Sequence, residues 1–239
     1  MSVDHALLTR IAGPAIACAR DYAGRRAGLA VEEKTRGQFA SEADRAVEQV
    51  IAASLRSALG TVALLGEEGG GALDATGSGW VIDPIDGTTN FLRGLPLWGI
   101  SIGYLERGEP VAGIIALPEL GVLLSAIAGG GVRSNGAPFL RPAAPAAVRL
   151  IALGENDHEP GSATDARAAQ MRAAGSVVAR YNCAVFALAG AALGWTDGYV
   201  EHGCCLWDIA AGAIVCREAG LAVTTQEIAP GRWSIDARG

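Results

Sequence analysis

The sequence is short of the residues that many metal and nucleic-acid sites require. Lys34 is the only lysine among its 19 basic residues, and only three of its 239 residues are histidines. The five cysteines are an odd number without a C-x-x-C pair, so neither a disulfide framework nor a zinc site is indicated. No apolar run approaches the ~20 residues of a membrane-spanning helix. These shortages predict a cytoplasmic protein.

The charge balance excludes further classes of partner. The formal net charge is −6, and no basic stripe marks a nucleic-acid surface. An acidic chain is also a poor ligand for anionic lipid. Half of the residues are hydrophobic and 18% are charged, which is typical of a compact fold. We therefore expect a small-molecule partner, with no nucleic acid and no membrane.

Residues 1–140 read as an α+β region. Apolar residues at helical spacing predict a first helix within residues 1–30, kinked at Pro14. Ser41 can cap a second helix, with Asp44 as the fourth residue of a capping box. β-type patterns and turn residues then predict strands over 61–65, 80–82, 98–105, 111–117 and 122–127, with a tight turn at 135–136.

Residues 141–239 instead alternate between strand and helix. The segment 141–147, which carries two prolines, is the predicted boundary between the halves. Antiparallel β structure followed by alternating α/β structure favours layered sheets flanked by helices, in one compact catalytic unit. The predicted strands cover 148–153, 176–178, 196–200 and 221–224, and the predicted helices cover 162–174, 182–193 and 207–219.

The most informative stretch is WVIDPIDGTTNF, over residues 80–91. Asp83 and Asp86 bracket Pro84 and Ile85 at a predicted strand end. Because Pro84 donates no hydrogen bond, we expect the chain to leave the sheet there, with the Ile85 carbonyl turned toward both carboxylates. Ligation by oxygen alone suits Mg²⁺, with Mn²⁺ as a substitute, better than zinc or copper.

The residues that follow suit a phosphate group. Gly87 permits close backbone approach, and a helix that begins near Thr88 presents free N–H groups to an anion. Each motif also has a purely structural interpretation. D-P-x-D-G is a common turn, Glu67-Glu68 can be a solvated loop, and Asp208 can cap a helix. Their conjunction is what favours a phosphate-transfer site.

Three separated blocks resemble the signatures of the inositol monophosphatase family. They are Gly66-Glu67-Glu68, residues 80–91, and LWDIAAG over residues 206–212. The resemblance extends from Ser41 to the last predicted helix. It implies a layered α-β-α-β-α sugar-phosphatase fold, a Mg²⁺-dependent and lithium-sensitive phosphomonoesterase, and a homodimer.

The resemblance also implies roles for individual residues. One ion would be bound by Glu67, Asp83 and the Ile85 carbonyl; a second by Asp83, Asp86 and Asp208; and a weaker third by Glu67 and water. The expected catalytic residues are Glu67, Glu68, Asp83, Thr88 and Asp44. For Asp44, the helix cap is the rival interpretation, and a length difference leaves open whether Lys34 is in the site.

The expected mechanism is in-line attack by water without a phosphoenzyme. Bound metal ions neutralise the phosphate, lower the pKa of a water and stabilise the leaving alkoxide. Thr88 would orient the water, and the amides of Gly87 and Thr88 would hold the phosphate. The substrate-binding residues implied by the resemblance are Asp86, Gly87, Thr88, Asn182, Cys183, Ala184 and Glu201.

The substrate itself is left open. Inositol monophosphate is the first expectation, since Ala184 and Glu201 match positions that contact the alcohol in inositol-hydrolysing relatives. However, Asn182-Cys183 stands where those relatives usually have Gly-Ser or Gly-Thr, and Arg93 and Cys205 replace histidines. Histidinol phosphate is the alternative, followed by fructose 1,6-bisphosphate and adenosine 3′,5′-bisphosphate. A metal-binding regulatory relative is the non-enzyme alternative.

Overall fold

The computed structural model describes residues 3–35, 37–143 and 147–239. These residues form six α-helices: α1 (His5–Gly24), α2 (Glu42–Leu59), α3 (Thr88–Arg93), α4 (Gly161–Ala173), α5 (Ala184–Leu193) and α6 (Leu206–Glu218). The strands of the first half are β1 (Val31–Thr35), β2 (Gln38–Ser41), β3 (Leu64–Gly66), β4 (Gly70–Ala72), β5 (Gly79–Asp86), β6 (Gly99–Glu106), β7 (Glu109–Leu117), β8 (Val122–Ile127), β9 (Gly131–Ser134) and β10 (Ala137–Phe139). The strands of the second half are β11 (Leu150–Leu153), β12 (Val177–Ala179), β13 (Gly198–Cys204), β14 (Ala222–Ala229) and β15 (Arg232–Arg238).

Eight strands of the first half form one sheet in the order β10-β9-β8-β7-β6-β5-β3-β4. Its pairs are antiparallel except for β3 and β5, which run parallel with Leu64 opposite Trp80 and Gly66 opposite Ile82. Parallel neighbours end at the same edge of a sheet. Glu67, which follows β3, is therefore brought close to Asp83 near the end of β5.

The second half contributes a five-stranded sheet in the order β12-β11-β13-β15-β14. β11 lies between β12 and β13 and is parallel to both. The carboxyl ends of such strands are where open α/β sheets place their ligands. Residues 154–157, directly after β11, occupy this position.

The helices alternate with the two sheets to give five layers, α-β-α-β-α. α1 and α2 cover one face of the eight-stranded sheet through residues such as Leu8 and Ile51. α5 and α6 lie between the sheets, and nine of the ten residues of α5 are buried, as expected for a helix covered on both sides. α4 packs on the outer face of the five-stranded sheet, where Ala168 contacts the cluster that includes Ile151 and Val200. The predicted layered fold is confirmed.

Several predicted elements are confirmed with small shifts of their ends. α2 begins after Ser41 with the predicted capping box, β8 has the predicted bounds, and Asn135 and Gly136 both have positive φ in the β9–β10 turn. α1 runs through Pro14 without a break in the helix. The strand predicted from residue 61 begins only at Leu64.

One expectation about the central motif is wrong. β5 does not leave the sheet at Pro84 but continues to Asp86, which pairs with Gly99 of β6 after a register shift that begins at Asp83. A β-bulge accommodates the missing N–H of proline without ending the strand. The sequence patterns also gave no sign of the β1–β2 hairpin, β4 or β15.

The division into 1–140 and 141–239 stays a prediction, and the boundary segment 141–147 lies partly outside the described residues. All five cysteines are free thiols. Among the described residues, none of the helices combines the length and the apolar character needed to cross a bilayer.

Candidate active site

The ends of β3, β5 and β11 and the beginnings of α3 and α5 surround a cavity of about 530 Å³. Every predicted metal-binding and substrate-binding residue lines it. They are Glu67, Asp83, Ile85, Asp86, Gly87, Thr88, Asn182, Cys183, Ala184, Glu201 and Asp208. The cavity therefore draws on both halves of the chain.

The three aspartates predicted to bind metal share one hydrogen-bonding arrangement. A backbone amide donates to one oxygen of each carboxylate: Ile85 N to Asp83 Oδ1 at 3.0 Å, Val185 N to Asp86 Oδ2 at 2.5 Å, and Cys205 N to Asp208 Oδ2 at 2.7 Å. Within the described residues, the second oxygen of each has no hydrogen-bond donor. Each aspartate is thus oriented by the backbone and keeps one oxygen for a ligand.

Burial and the charges of neighbouring carboxylates raise the pKa values of all three aspartates. Burial raises the pKa of Asp83 well above its ordinary value, and the charges of Glu67 and Asp86 raise it further. Burial likewise raises the pKa of Asp208, with the charge of Asp86 next in importance. Burial brings the pKa of Asp86 to about 7, although the Val185 amide opposes the shift. Mutual repulsion of this kind is relieved by bound cations.

The donor set fits a hard divalent cation. Its members are carboxylate oxygens and the carbonyl of Ile85, which are Mg²⁺ ligands rather than zinc ligands. The described side chains do not include three acidic, histidine or cysteine groups gathered closely enough to enclose one ion. Mg²⁺ commonly binds to one or two carboxylates and completes its shell with water and substrate phosphate, so an open arrangement suits it.

Thr88 and Asp44 form a second part of the site. The Thr88 hydroxyl lies 3.1 Å from Asp44 Oδ1 and 3.0 Å from the Ile85 carbonyl, both of which can accept its proton. The other oxygen of Asp44 accepts hydrogen bonds from the backbone and side chain of Ser41 at 2.7 and 2.6 Å. One oxygen of Asp44 therefore completes the capping box of α2, which is confirmed, and the other contacts Thr88, while its catalytic role stays a prediction.

Lys34 is brought to the edge of the site by the β1–β2 hairpin. Its ammonium nitrogen lies 3.0 Å from Glu67 Oε1 and also contacts Glu68. Burial raises the pKa of Glu67, and the positive charge of Lys34 opposes that shift. Asp44, Glu68 and Lys34 do not line the cavity itself. Asp44 contacts Thr88 and Lys34 contacts Glu67, both of which line it, whereas Glu68 is joined to Glu67 through Lys34.

At the end of the cavity formed by β11 and β13, Glu201 is buried, and each of its carboxylate oxygens accepts one hydrogen bond. Asn156 Nδ2 donates to its Oε1 at 2.9 Å, and the Tyr199 hydroxyl donates to its Oε2. Burial raises the pKa of Glu201, and these two donors oppose the rise. A Cβ on Gly154 would lie 2.4 Å from both the Tyr199 hydroxyl and the Glu201 carboxyl carbon, so the network packs directly on the backbone.

Asn182 and Cys183 line the cavity just before α5 begins. Cys183 caps α5 by accepting from Phe186 N at 3.2 Å, and its sulfur lies 3.3 Å from Asp86 Oδ2. Asn182 has a φ of +51°, a conformation that glycine and asparagine adopt more readily than other residues. Arg93 and Cys205 are not among the residues that line the cavity.

The model of the inositol monophosphatase family matches residues 2–233 of the chain. The chain belongs to the inositol monophosphatase family. Members of this family are phosphatases and are generally metal-dependent, which makes the chain a phosphoric monoester hydrolase.

Individual relatives agree with this assignment. The chain is 35% identical to inositol-1-monophosphatase ImpA of Mycolicibacterium smegmatis over 90% of its own length and 79% of that protein. It is also 35% identical to Nus factor SuhB of Pseudomonas aeruginosa, over 80% of the chain and 74% of that protein. The structure also resembles the crystal structure of extragenic suppressor protein suhB from Bartonella henselae, with a TM-score of 0.86. The two sequences are 30% identical, and the match covers 98% of this chain and 93% of that one.

Within this inositol monophosphatase family fold, sequence reasoning missed Asn156 and Tyr199. A signal for Asn156 existed, because Gly154-Glu155-Asn156-Asp157 is a polar run directly after a predicted strand, where parallel strands place ligands. Tyr199 lies inside an apolar strand and gives no such signal. Its role follows only from its position two residues from Glu201 on the same face of β13.

Proposed function

We propose that the protein is a Mg²⁺-dependent phosphomonoesterase that hydrolyses inositol monophosphate by water attack. The observation that carries the proposal is the set of three aspartates, each held by one backbone amide and each with one oxygen that has no donor among the described residues. Such a set recruits cations and positions them beside a phosphate. Mn²⁺ is the expected substitute.

The roles proposed for the acidic residues follow the resemblance. Glu67, Asp83 and the Ile85 carbonyl would hold one ion. Asp83, Asp86 and Asp208 would hold a second and would have to draw closer together around it, because no three described groups already enclose an ion. Glu67 and water would hold a weaker third, with Glu68 nearby. When bound, these ions supply charge neutralisation for the phosphate and an acidified water.

The proposed reaction also uses groups of the protein itself, namely Thr88, Asp44 and the first amides of α3. When the Thr88 hydroxyl donates its proton to Asp44 rather than to the Ile85 carbonyl, its oxygen lone pairs stay available to accept a water proton. Asp44 thereby fixes the orientation in which Thr88 receives the nucleophile. The first amides of α3, at Gly87 and Thr88, lack intrahelical acceptors and are available to phosphate oxygens.

The alcohol would bind at the Glu201 end of the cavity. Each carboxylate oxygen can accept two hydrogen bonds, so Glu201 still has acceptor sites for substrate hydroxyls after binding Asn156 and Tyr199. Ala184, Asn182 and Cys183 would shape the wall between alcohol and phosphate. The name of the ImpA relative supports an inositol phosphate.

Histidinol phosphate is the second candidate, because the alcohol end of the cavity is acidic. Glu155, Asp157 and Glu201 line it, whereas Arg180 and Arg232, which pair with the first two, do not. A cationic alcohol would match these carboxylates better than a neutral polyol. The departures at Asn182 and Cys183 point the same way.

The remaining features are proposed from the family resemblance. We expect a lithium-sensitive, cytoplasmic homodimer that binds neither nucleic acid nor membrane, in keeping with the net charge of −6. A purely regulatory, metal-binding role is disfavoured, since such a relative should have lost a metal ligand or Thr88. The chain retains every expected group.

The decisive experiment is phosphate release with and without Mg²⁺ from inositol 1-phosphate, histidinol phosphate, fructose 1,6-bisphosphate and adenosine 3′,5′-bisphosphate. We expect turnover only with metal and the highest kcat/KM for inositol 1-phosphate. Preference for histidinol phosphate would favour the second candidate. Turnover without metal, or none with any substrate, would contradict the proposed function.

A further inference from the structure

Glu48 is a buried carboxylate that has no part in the proposed reaction. It lies on α2, one turn after Asp44, and its side chain belongs to a residue that is only 8% exposed. Its Oε2 accepts a hydrogen bond from Glu68 N at 2.8 Å, and its Oε1 accepts one from Gly69 N at 2.6 Å. A buried charge is costly unless donors of this kind satisfy it.

The two glycines that flank Glu67 and Glu68 are explained by this carboxylate. A Cβ on Gly66 would lie 2.8 Å from the Glu48 carboxyl carbon, and one on Gly69 would lie 2.3 Å from Glu48 Oε1. Neither glycine has a positive φ, so close approach rather than backbone conformation requires the missing side chain. The segment 66–69 is thus wrapped around the carboxylate of Glu48.

The backbone at Glu67 is held by hydrogen bonds from its own amide and from the two amides that follow it. Its own amide donates to the Ile82 carbonyl of β5 at 3.3 Å, and the next two amides donate to Glu48. Residues four apart lie on the same face of a helix. Asp44 and Glu48 therefore lie on the same face of α2, where Asp44 contacts Thr88 and Glu48 binds the loop that carries Glu67.

We propose that Glu48 is a positioning residue, which fixes the backbone of residues 66–69 so that the Glu67 carboxylate faces the ion-binding end of the cavity. The proposal rests on the proposed function of Glu67 as a metal ligand. A residue of this kind changes the affinity for metal, whereas a residue that only stabilises the loop changes the melting temperature alone. Second-sphere partners of metal ligands typically alter metal affinity about 10- to 100-fold.

The test replaces Glu48 by glutamine, which offers one acceptor oxygen and places an NH₂ group against one of the two amides. Glu218→Gln is a matched control, because Glu218 also accepts two backbone amides of a glycine-rich turn, Gly129 N at 2.9 Å and Gly131 N at 2.8 Å, away from the cavity. Calorimetric Mn²⁺ binding to metal-free protein, the Mg²⁺ concentration for half-maximal phosphate release, and the melting temperature are measured for each.

We expect Glu48→Gln to weaken Mn²⁺ binding and raise the half-maximal Mg²⁺ concentration by roughly tenfold or more. Glu218→Gln should lower the melting temperature without changing either metal constant. Gly69→Ala serves as a second variant, because it retains the charge of Glu48 but forces the carboxylate and the loop apart. It should weaken metal binding in the same direction.

Every other outcome contradicts either the proposed function or the positioning role of Glu48. Wild-type protein that binds no Mn²⁺ and turns over without metal contradicts the proposed function, and the role of Glu48 falls with it. A metal-dependent wild type with unchanged constants in Glu48→Gln overturns the positioning role alone. Weaker binding in Glu48→Gln but not in Gly69→Ala means that charge rather than position matters, which also overturns it.

Discussion

The two ends of the cavity treat buried carboxylates in opposite ways. At the end formed by β5 and α6, Asp83, Asp86 and Asp208 each receive one backbone amide and repel one another. At the other end, both oxygens of Glu201 are bound by neutral side-chain donors. The first arrangement leaves one oxygen of each aspartate without a donor among the described residues, whereas the second gives both oxygens of Glu201 a donor.

Under the proposed function, this difference separates the carboxylates that take part in the chemistry from the carboxylate that recognises the alcohol. A cluster that the protein leaves unneutralised gains its stability when ions enter, so it is suited to hold the reacting group. A carboxylate held by Asn156 and Tyr199 has a fixed direction before any ligand arrives, so it is suited to read hydroxyl positions. Three predictions test the contrast, beginning with the largest effect.

Asp83→Asn should lower kcat by on the order of 10²- to 10³-fold, because it removes an anionic ligand from the proposed first and second ions. The same change relieves repulsion in the metal-free protein, so its melting temperature should stay the same or rise. Phosphate release and thermal unfolding in EDTA measure the two effects. Asp236→Asn is the control and should change neither, because Asp236 is a half-buried residue of β15 that pairs with Arg238 and does not line the cavity. Unimpaired Asp83→Asn activity would contradict the contrast.

The metal-free protein should become less stable as the pH rises from about 4 to about 7. Burial raises the pKa of Asp86 from its ordinary 3.8 to about 7, so the folded state holds a proton that the unfolded state has released. The stability that this proton provides is full below the unfolded pKa and is lost through the folded pKa. We expect a fall in melting temperature on the order of 10 °C, reversed by Mg²⁺ most strongly at neutral pH. A flat profile in EDTA would argue against an uncompensated cluster.

Tyr199→Phe should destabilise the protein by about 1–3 kcal/mol, because it leaves one oxygen of buried Glu201 without its donor. The half-maximal Mg²⁺ concentration should not change, since the variant keeps every proposed metal ligand and the Glu201 carboxylate whose charge acts on Asp86 and Asp208. Tyr104→Phe is the control, because the Tyr104 hydroxyl makes no hydrogen bond with the described residues. Denaturant unfolding and a Mg²⁺ titration measure the two quantities. A shift in metal dependence would show that the two ends are coupled.

Much of the ion-binding end could be predicted from the sequence, because its residues stand in short motifs at strand and helix ends. Asp83 and Asp86 follow an apolar run, and Asp208 follows a recognisable helix start. Their meeting point depends on the parallel pairing of β3 and β5 and on α6 lying between the sheets. Those long-range arrangements could be predicted only from the family resemblance, because local sequence patterns do not specify them.

The alcohol end was harder to predict for a physical reason. Tyr199 and Glu201 lie in a strand whose pattern is apolar, and their partner Asn156 is 45 residues away from Glu201. Glu48 was missed because a glutamate on an amphipathic helix is ordinarily solvent-exposed. Its function becomes visible only when the glycines of the neighbouring loop are seen to fit around it.

The bulge in β5 has a consequence for the tolerance of this motif to change. On a regular strand, side chains three residues apart point to opposite faces of the sheet. Asp83 and Asp86 are three apart yet line the same cavity, because three residues of β5 span the distance of two on β6. The number of residues between the two aspartates therefore decides whether their side chains lie on the same face of the sheet. Adding or deleting a single residue between them would turn one carboxylate to the other face, however conservative the residue.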